Sequence, residues 1–234
     1  MNTNNLETLN EKYKQDFNTA LNMYNNEYSH AELINFLKNG SIVEKQVATL
    51  MLDNINSKED ARTFITNLTG CDGKIREAVS FRLKEFIVQA PQYFLPFEDL
   101  FLEAIIDING NICRNTIAAI LTLKTNPQFY TSFCNKLCTK ACELAKLAKT
   151  FDLQDGKYKV NKEIFKLYWY LETISEFLPQ KSMLLPVIQE TKDINDYTIR
   201  EKVAKILSKI EDSFEFTLIK NELKTDENYY VRRF

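Results

Sequence analysis

Residues Asp72–Ile87, DGKIREAVSFRLKEFI, decide the fold. Asp72 suits an N-cap, because its side-chain oxygen can accept a bond from an unpaired amide of the first helical turn. Ile75, Val79, Leu83, Phe86 and Ile87 then fall on one stripe at steps of three and four, the periodicity of a helix with one buried face. Arg76 lies four residues after the cap, on the flank of that stripe.

Arg76 also exposes an internal repeat. Arg76-Glu-Ala-Val79-Ser80-Phe-Arg-Leu83 aligns with Arg114-Asn-Thr-Ile117-Ala118-Ala-Ile-Leu121 and with Arg200-Glu-Lys-Val203-Ala204-Lys-Ile-Leu207. Val231-Arg232-Arg233-Phe234 has the opening of another copy. Glu44-Lys-Gln-Val47-Ala48-Thr-Leu-Met51 keeps the apolar column without the arginine, and Asn161-Lys-Glu-Ile164-Phe165-Lys-Leu-Tyr168 keeps it with Asn in the arginine's place. Steps of roughly 32 to 47 residues between anchors, with two helices per step, are the signature of stacked helical repeats.

Composition agrees. The 234 residues are 44% hydrophobic and 26% charged, enough to bury a core and stay in solution. Only 5 Gly and 5 Pro occur, which favours long helices. A net charge of −2 argues against a dedicated nucleic-acid binder, which needs a basic surface to neutralise phosphates. No apolar run is long enough for a membrane span, and the polar start MNTNNLETLNEKYKQ has no h-region, so no secretory signal is expected. Five cysteines, an odd number, suit a reducing cytoplasm better than a disulfide framework.

In chain order, Leu9, Tyr13, Phe17, Leu21 and Tyr24 predict an amphipathic helix over 6–24, with residues 1–28 capping the repeats of 29–234. Helices are then predicted over 30–37, closed by Asn39-Gly40, and over 41–55, 58–68, 72–89, 92–106 with Pro96 inside, and 111–123. The fourth unit, 126–178, departs from the pattern. It has a long first helix over 128–150, a loop near 151–158 with Asp155-Gly156 as turn signal, and a long second helix over 161–178. Helices over 181–191, 196–210 and 213–223, and the Val231-Arg232 stub, complete about five and a half pairs. No strand is predicted.

These units resemble HEAT repeats, whose pattern is a first helix with Leu-Leu-Pro, an acidic turn, and Val-Arg opening the second helix. Leu184-Leu185-Pro186 leads through Asp193 and Asp196 to Ile199-Arg200; Phe94-Leu95-Pro96 leads through Asp107 to Cys113-Arg114; Asp226 leads to Val231-Arg232. The resemblance covers about residues 29–234. It implies an all-α fold, a right-handed α-α superhelix, and a scaffold or adaptor that binds a protein along the concave face of its second helices. It is nearly silent on which activity the fold hosts.

Three structural expectations follow. A buried proline in the first helix, Pro96 and Pro186 here, kinks that helix over its partner. Asp72, Asp107, Asp196 and Asp226 can pair with Arg76, Arg114, Arg200 and Arg232 in a ladder between turns. Small residues at Ala48, Ser80, Ala118 and Ala204 allow close helix approach, whereas Phe165 in that column predicts a break in superhelical curvature at unit four.

The candidates for chemistry are few. Cys134, Cys138 and Cys142 share a helical face and could meet a soft metal, but with no fourth ligand in view they read as a small core stripe. His30, the single histidine, reads as a first-turn residue without a catalytic role. Glu98, Asp99, Glu103 and Asp107 read as a solvated face. No phosphate loop and no nucleophile–His–acid set can be assembled, so neither catalytic residue nor cofactor is expected. The lysines 136, 140, 146, 149, 157, 159, 162 and 166 are interspersed with acids. Phe165, Lys166, Trp169, Tyr170 and Lys162 are the candidate partner-binding residues, as aromatic side chains are enriched at interface hot spots. The alternative function is DNA binding or base excision of the HEAT-like DNA glycosylase type. That reading wants a basic groove, which the net charge disfavours. The expected states are a monomer or a weak dimer through an uncapped C-terminal end, or a piece of a longer solenoid.

Overall fold

A computed structural model describes residues 3–151 and 157–234, with side chains described from residue 10 in the first stretch and from 161 in the second. Among them every regular element is helical. The Asp155-Gly156 turn signal lies outside the described residues. The chain divides into two compact units, Met1–Ala104 and Ile105–Phe234.

The first unit holds α1 (Thr3–Tyr24), α2 (His30–Asn39), α3 (Ile42–Met51), α4 (Lys58–Thr66), α5 (Gly73–Gln89), α6 (Pro91–Phe94) and α7 (Glu98–Ala104). Ser29 and Ser41 each close a capping box, with Glu32 and Glu44 reaching back to the cap amide. α2 packs on α3 and α4, α3 on α5, and α4 on α6, so first helices and second helices each gather with their own kind. Phe64 sits at the centre, edge-on to Phe86 at 5.0 Å. The helix expected over 92–106 is broken: Leu95–Phe97 forms a 3-10 turn around Pro96, which has no amide to donate. Pro96, like Pro186 further on, is exposed rather than buried. On the outer side, water can satisfy the carbonyl that the missing amide leaves free.

The second unit holds α8 (Gly110–Ile120), α9 (Pro127–Ala148), α10 (Lys157–Phe177), α11 (Lys181–Thr191), α12 (Tyr197–Ser208), α13 (Phe214–Leu223) and α14 (Tyr229–Arg232). α9 packs against α10 and α11, α10 against α12, and α12 against α11, α13 and α14. Phe133 anchors its core between Phe129 at 5.3 Å and Phe177 at 5.0 Å.

One motif starts four helices. Asp72, Asn109, Asp196 and Asn228 are N-caps in near-identical backbone conformations, each accepting the amide two residues on. Four residues after the cap, a side chain donates to the carbonyl six residues upstream of it. Arg76 Nη1 reaches Gly70 O at 2.8 Å, Arg200 Nη1 reaches Ile194 O at 3.0 Å, and Arg232 Nη1 reaches Asp226 O at 2.6 Å. In the remaining copy that donor is Cys113, whose thiol reaches Asp107 O at 3.1 Å. Matching Arg114 to the other arginines is therefore one residue out of register. Arg114 instead bonds Asn111 Oδ1 at 2.7 Å and lies over the Trp169 ring at 5.8 Å. The same offset exposes Ala118, while Ile117 is buried beside Thr116.

The acid–arginine ladder has a full rung at Arg200, which forks onto Asp226 at 2.6 and 3.2 Å. Asp72 and Asp196 serve as caps. Phe165 is 37% exposed, so it does not occupy the small-residue column, and the steric premise for a break at unit four falls away. α1 brings the other correction. Its expected core stripe faces outward, with Tyr13, Phe17, Leu21 and Tyr24 all exposed; among the described side chains of α1 only Met23 is buried, where α1 meets α3, and the side chain of Leu9 lies outside the described residues.

Candidate functional site

The second unit presents a charged ridge where α10 meets α12. Tyr168, Glu172 and Glu176 recur at one-turn steps along α10, and Lys202, Lys205 and Lys209 recur likewise along α12. They interlock. Lys202 Nζ bonds Glu172 at 2.7 Å, Lys205 bonds it at 2.9 Å, and Lys209 bonds Glu176 at 2.9 Å. Lys202 is only 8% exposed and also lies 4.3 Å from the Tyr168 ring centre, a cation held by both a carboxylate and a π face. Burial alone would raise the Glu172 pKa, but the two lysines that donate to it hold the carboxyl below its ordinary range. Burial likewise opposes charge on Lys202, and the bonds to Glu172 and Tyr168 override it, raising that pKa.

The same ridge finishes α10. Lys209 donates to Ser175 O at 2.9 Å, Lys124 to Glu176 O at 3.2 Å, and Tyr130 to Leu178 O at 2.8 Å. These satisfy carbonyls that a helix end leaves without partners. The pattern continues from α12 to α14, where Glu201 meets Arg233 at 2.6 Å and Tyr197 stacks on Tyr230 at 6.3 Å.

Of the five expected binding residues, two remain on the surface. Lys162 is exposed, and Phe165 stands out one turn further along. Trp169 and Tyr170 are each 6% exposed and belong to the core. Trp169 is wedged against Gly110, Phe165 and Tyr168, and its indole N–H has no hydrogen-bond partner among the described residues. Burial, then Glu143 and Glu163, pushes the Tyr170 hydroxyl to about 12. Lys166 is half-buried on Glu163 at 2.9 Å. Tyr168, Glu172 and the α12 lysines were not singled out by sequence. The signal was there in the matching steps of 168-172-176 and 202-205-209, which become partners only once α10 and α12 are known to be neighbours.

The remaining candidates take structural places. Cys134 and Cys138 are buried, and desolvation pushes both thiols to about 12, so they stay protonated. Among the described residues no group of three or more His, Cys, Asp or Glu is placed to hold a metal ion. His30, the first residue of α2, meets Asp60 of α4 at 3.0 Å and ties the two helices. Glu98 and Asp99 open α7, where carboxylates complement the helix dipole. Of the basic series, Lys149 pairs with Glu190 and Lys166 with Glu163, while the side chains of Lys157 and Lys159 lie outside the described residues. No helix among the described residues is long and apolar enough to cross a membrane.

No known protein family matches this chain, and no curated protein matches it.

Proposed function

We propose that the chain is a HEAT-like α-solenoid, a right-handed stack of helix pairs, and that it works as a protein-binding scaffold in a reducing cytoplasm. Support for the repeat comes from the shared helix start at Asp72, Asn109, Asp196 and Asn228, and from first and second helices that gather in separate layers within each unit. The five cysteines, all free, suit the compartment.

The observation that carries the binding role is the exposed Phe165 with Lys162 on α10, beside a ladder whose lysines each already hold a carboxylate. An aromatic ring next to a ridge whose lysines are each held by a carboxylate offers an anchor for a protein surface. It does not offer phosphate contacts, because Lys202, Lys205 and Lys209 are held by Glu172 and Glu176.

The test is quantitative affinity capture with wild type and a Phe165→Glu/Lys162→Glu variant. Lys162 is exposed and Phe165 partly so, with one edge on Trp169, and unchanged thermal unfolding will confirm that the variant folds. Partners lost from the variant but kept by the wild type support the proposal. Identical captures from both, or a salt-dependent shift of duplex DNA by the wild type, would overturn it.

A further inference from the structure

We propose that Cys138, Cys142 and Met183 form a site for a soft monovalent metal ion of the copper(I) class, in the groove between α9 and α11. The site stands apart from the α10 ridge and does not rest on the protein-binding role. α9 and α11 pack side by side, and a groove of about 650 Å³ opens between them. α9 lines it with Cys138, Thr139, Cys142 and Lys146, and α11 lines it with Met183 and Pro186. Two thiols and a thioether thus share one groove from two helices. Cys138 is only 5% exposed, and Cys142 one turn on is half-buried. Among the described residues neither thiol has a hydrogen-bond partner, whereas the buried thiol of Cys113 donates to Asp107 O at 3.1 Å. Cys134, a turn earlier on the stripe, is buried and does not line the groove.

Helical spacing sets the coordination number. Side chains four residues apart have Cβ atoms about 5–6 Å from each other. A metal–sulfur bond is about 2.3 Å, so an ion with two sulfurs in line holds them about 4.6 Å apart. The pair therefore suits two thiolates on opposite sides of one ion, with the Met183 thioether as a weaker third donor from α11. Thiolate with thioether selects copper(I) over harder ions. Zinc and calcium take four or more donors, drawn from thiolate, imidazole, carboxylate and carbonyl groups. Among the described residues no group of three or more His, Cys, Asp or Glu is placed to supply them.

The charges balance. The ion displaces one proton from each thiol, so a monocation and two neutral thiols become a complex of charge −1 and two released protons. Lys146, one turn beyond Cys142 in the same groove, offsets that negative charge, while Glu143 and Glu190 oppose it. Burial holds the Cys138 thiol at about 12, so only an ion that bonds sulfur strongly displaces its proton.

The test offers the full chain copper(I) as its bicinchoninate complex, without oxygen. It reads the ion lost from the chelator and the thiolate-to-copper absorption in the ultraviolet. Wild type should take one ion per chain, and Cys71→Ser, which removes the exposed thiol, should take the same. Cys142→Ser should bind at least about a hundredfold more weakly, the loss expected when two linked donors become one. Met183→Leu keeps the side-chain volume and should fall between the two. Unchanged thermal unfolding will confirm that each variant folds. A wild type that takes no ion from the chelator, an ion held as tightly by Cys142→Ser, or an ion lost with Cys71→Ser overturns the inference. Zinc held as tightly as copper(I) overturns the assigned ion class, and a Met183→Leu variant equal to wild type overturns the three-sulfur set.

Discussion

α1 and α9 are both 22 residues long, and both carry apolar side chains at helical spacing. α9 buries Phe129, Phe133, Cys134, Leu137, Cys138, Ala141 and Ala145; α1, among its described side chains, buries Met23. The difference lies in neighbours. α9 packs between α10 and α11, whereas α1 makes its main contact with α3 alone. Amphipathicity states what a helix can bury, and the topology decides whether anything is there to bury it.

The sharpest way to break that comparison is to truncate one ring in each helix. Phe133→Ala in α9 should cost about 3–5 kcal/mol, the range for a fully buried aromatic, read from urea unfolding. A smaller loss would mean that α9 is held mainly by its length.

Polar ties between helices come next. Arg200→Ala strands Asp226 and releases the carbonyls of Ile194 and Asn195. A loss of about 2–3 kcal/mol is expected for this nearly buried pair, with m unchanged in the same assay.

Glu172→Gln should cost about 1–2 kcal/mol at neutral pH by weakening two charge-assisted bonds. Its pH dependence has a fixed sign. The folded-state pKa of Glu172 is lowered, so its contribution is complete above the unfolded value and disappears as pH falls through the folded value. Lys202 is raised, so its share is complete below the ordinary lysine range and is lost as pH climbs through the folded value. Stability curves of wild type and variant should therefore run apart at neutral pH and converge in acid. Parallel curves in acid would remove the ladder from the account.

The smallest effect belongs to α1. Phe17→Ala should change stability by no more than about 0.5 kcal/mol in dilute solution. A large loss would show that the outward ring is already covered.

Helix existence and most boundaries were legible because their punctuation is local. Ser41, Asp72, Asn126-Pro127, Asp196 and Ser213 stand where the sequence places them. The cysteine stripe was legible as core because Cys134 and Cys138 fall in step with Phe133 and Leu137. Trp169 and Tyr170 were misread for a non-local reason. α10 is packed between α9 and α12, so nearly the whole run from Leu167 to Leu171 is enclosed, and periodicity alone cannot choose its outer face. The Arg114 register failed because residue identity was matched where the cap sets the frame. Asn109 precedes Arg114 by five residues rather than four, and Cys113 takes the donor's place. The ridge itself depends on which helices become neighbours.

Arg82 gives the first unit a particular order of assembly. Its guanidinium donates to Leu50 O at 2.6 Å and Leu52 O at 2.8 Å, while Glu85 steadies it at 2.8 Å. The final turn of α3 thus takes its closing donors from a residue 30 positions later in the chain. An isolated segment ending at Met51 would fray. α3 is completed only when α5 arrives, so the two helices should gain protection from hydrogen exchange in one kinetic step rather than in chain order.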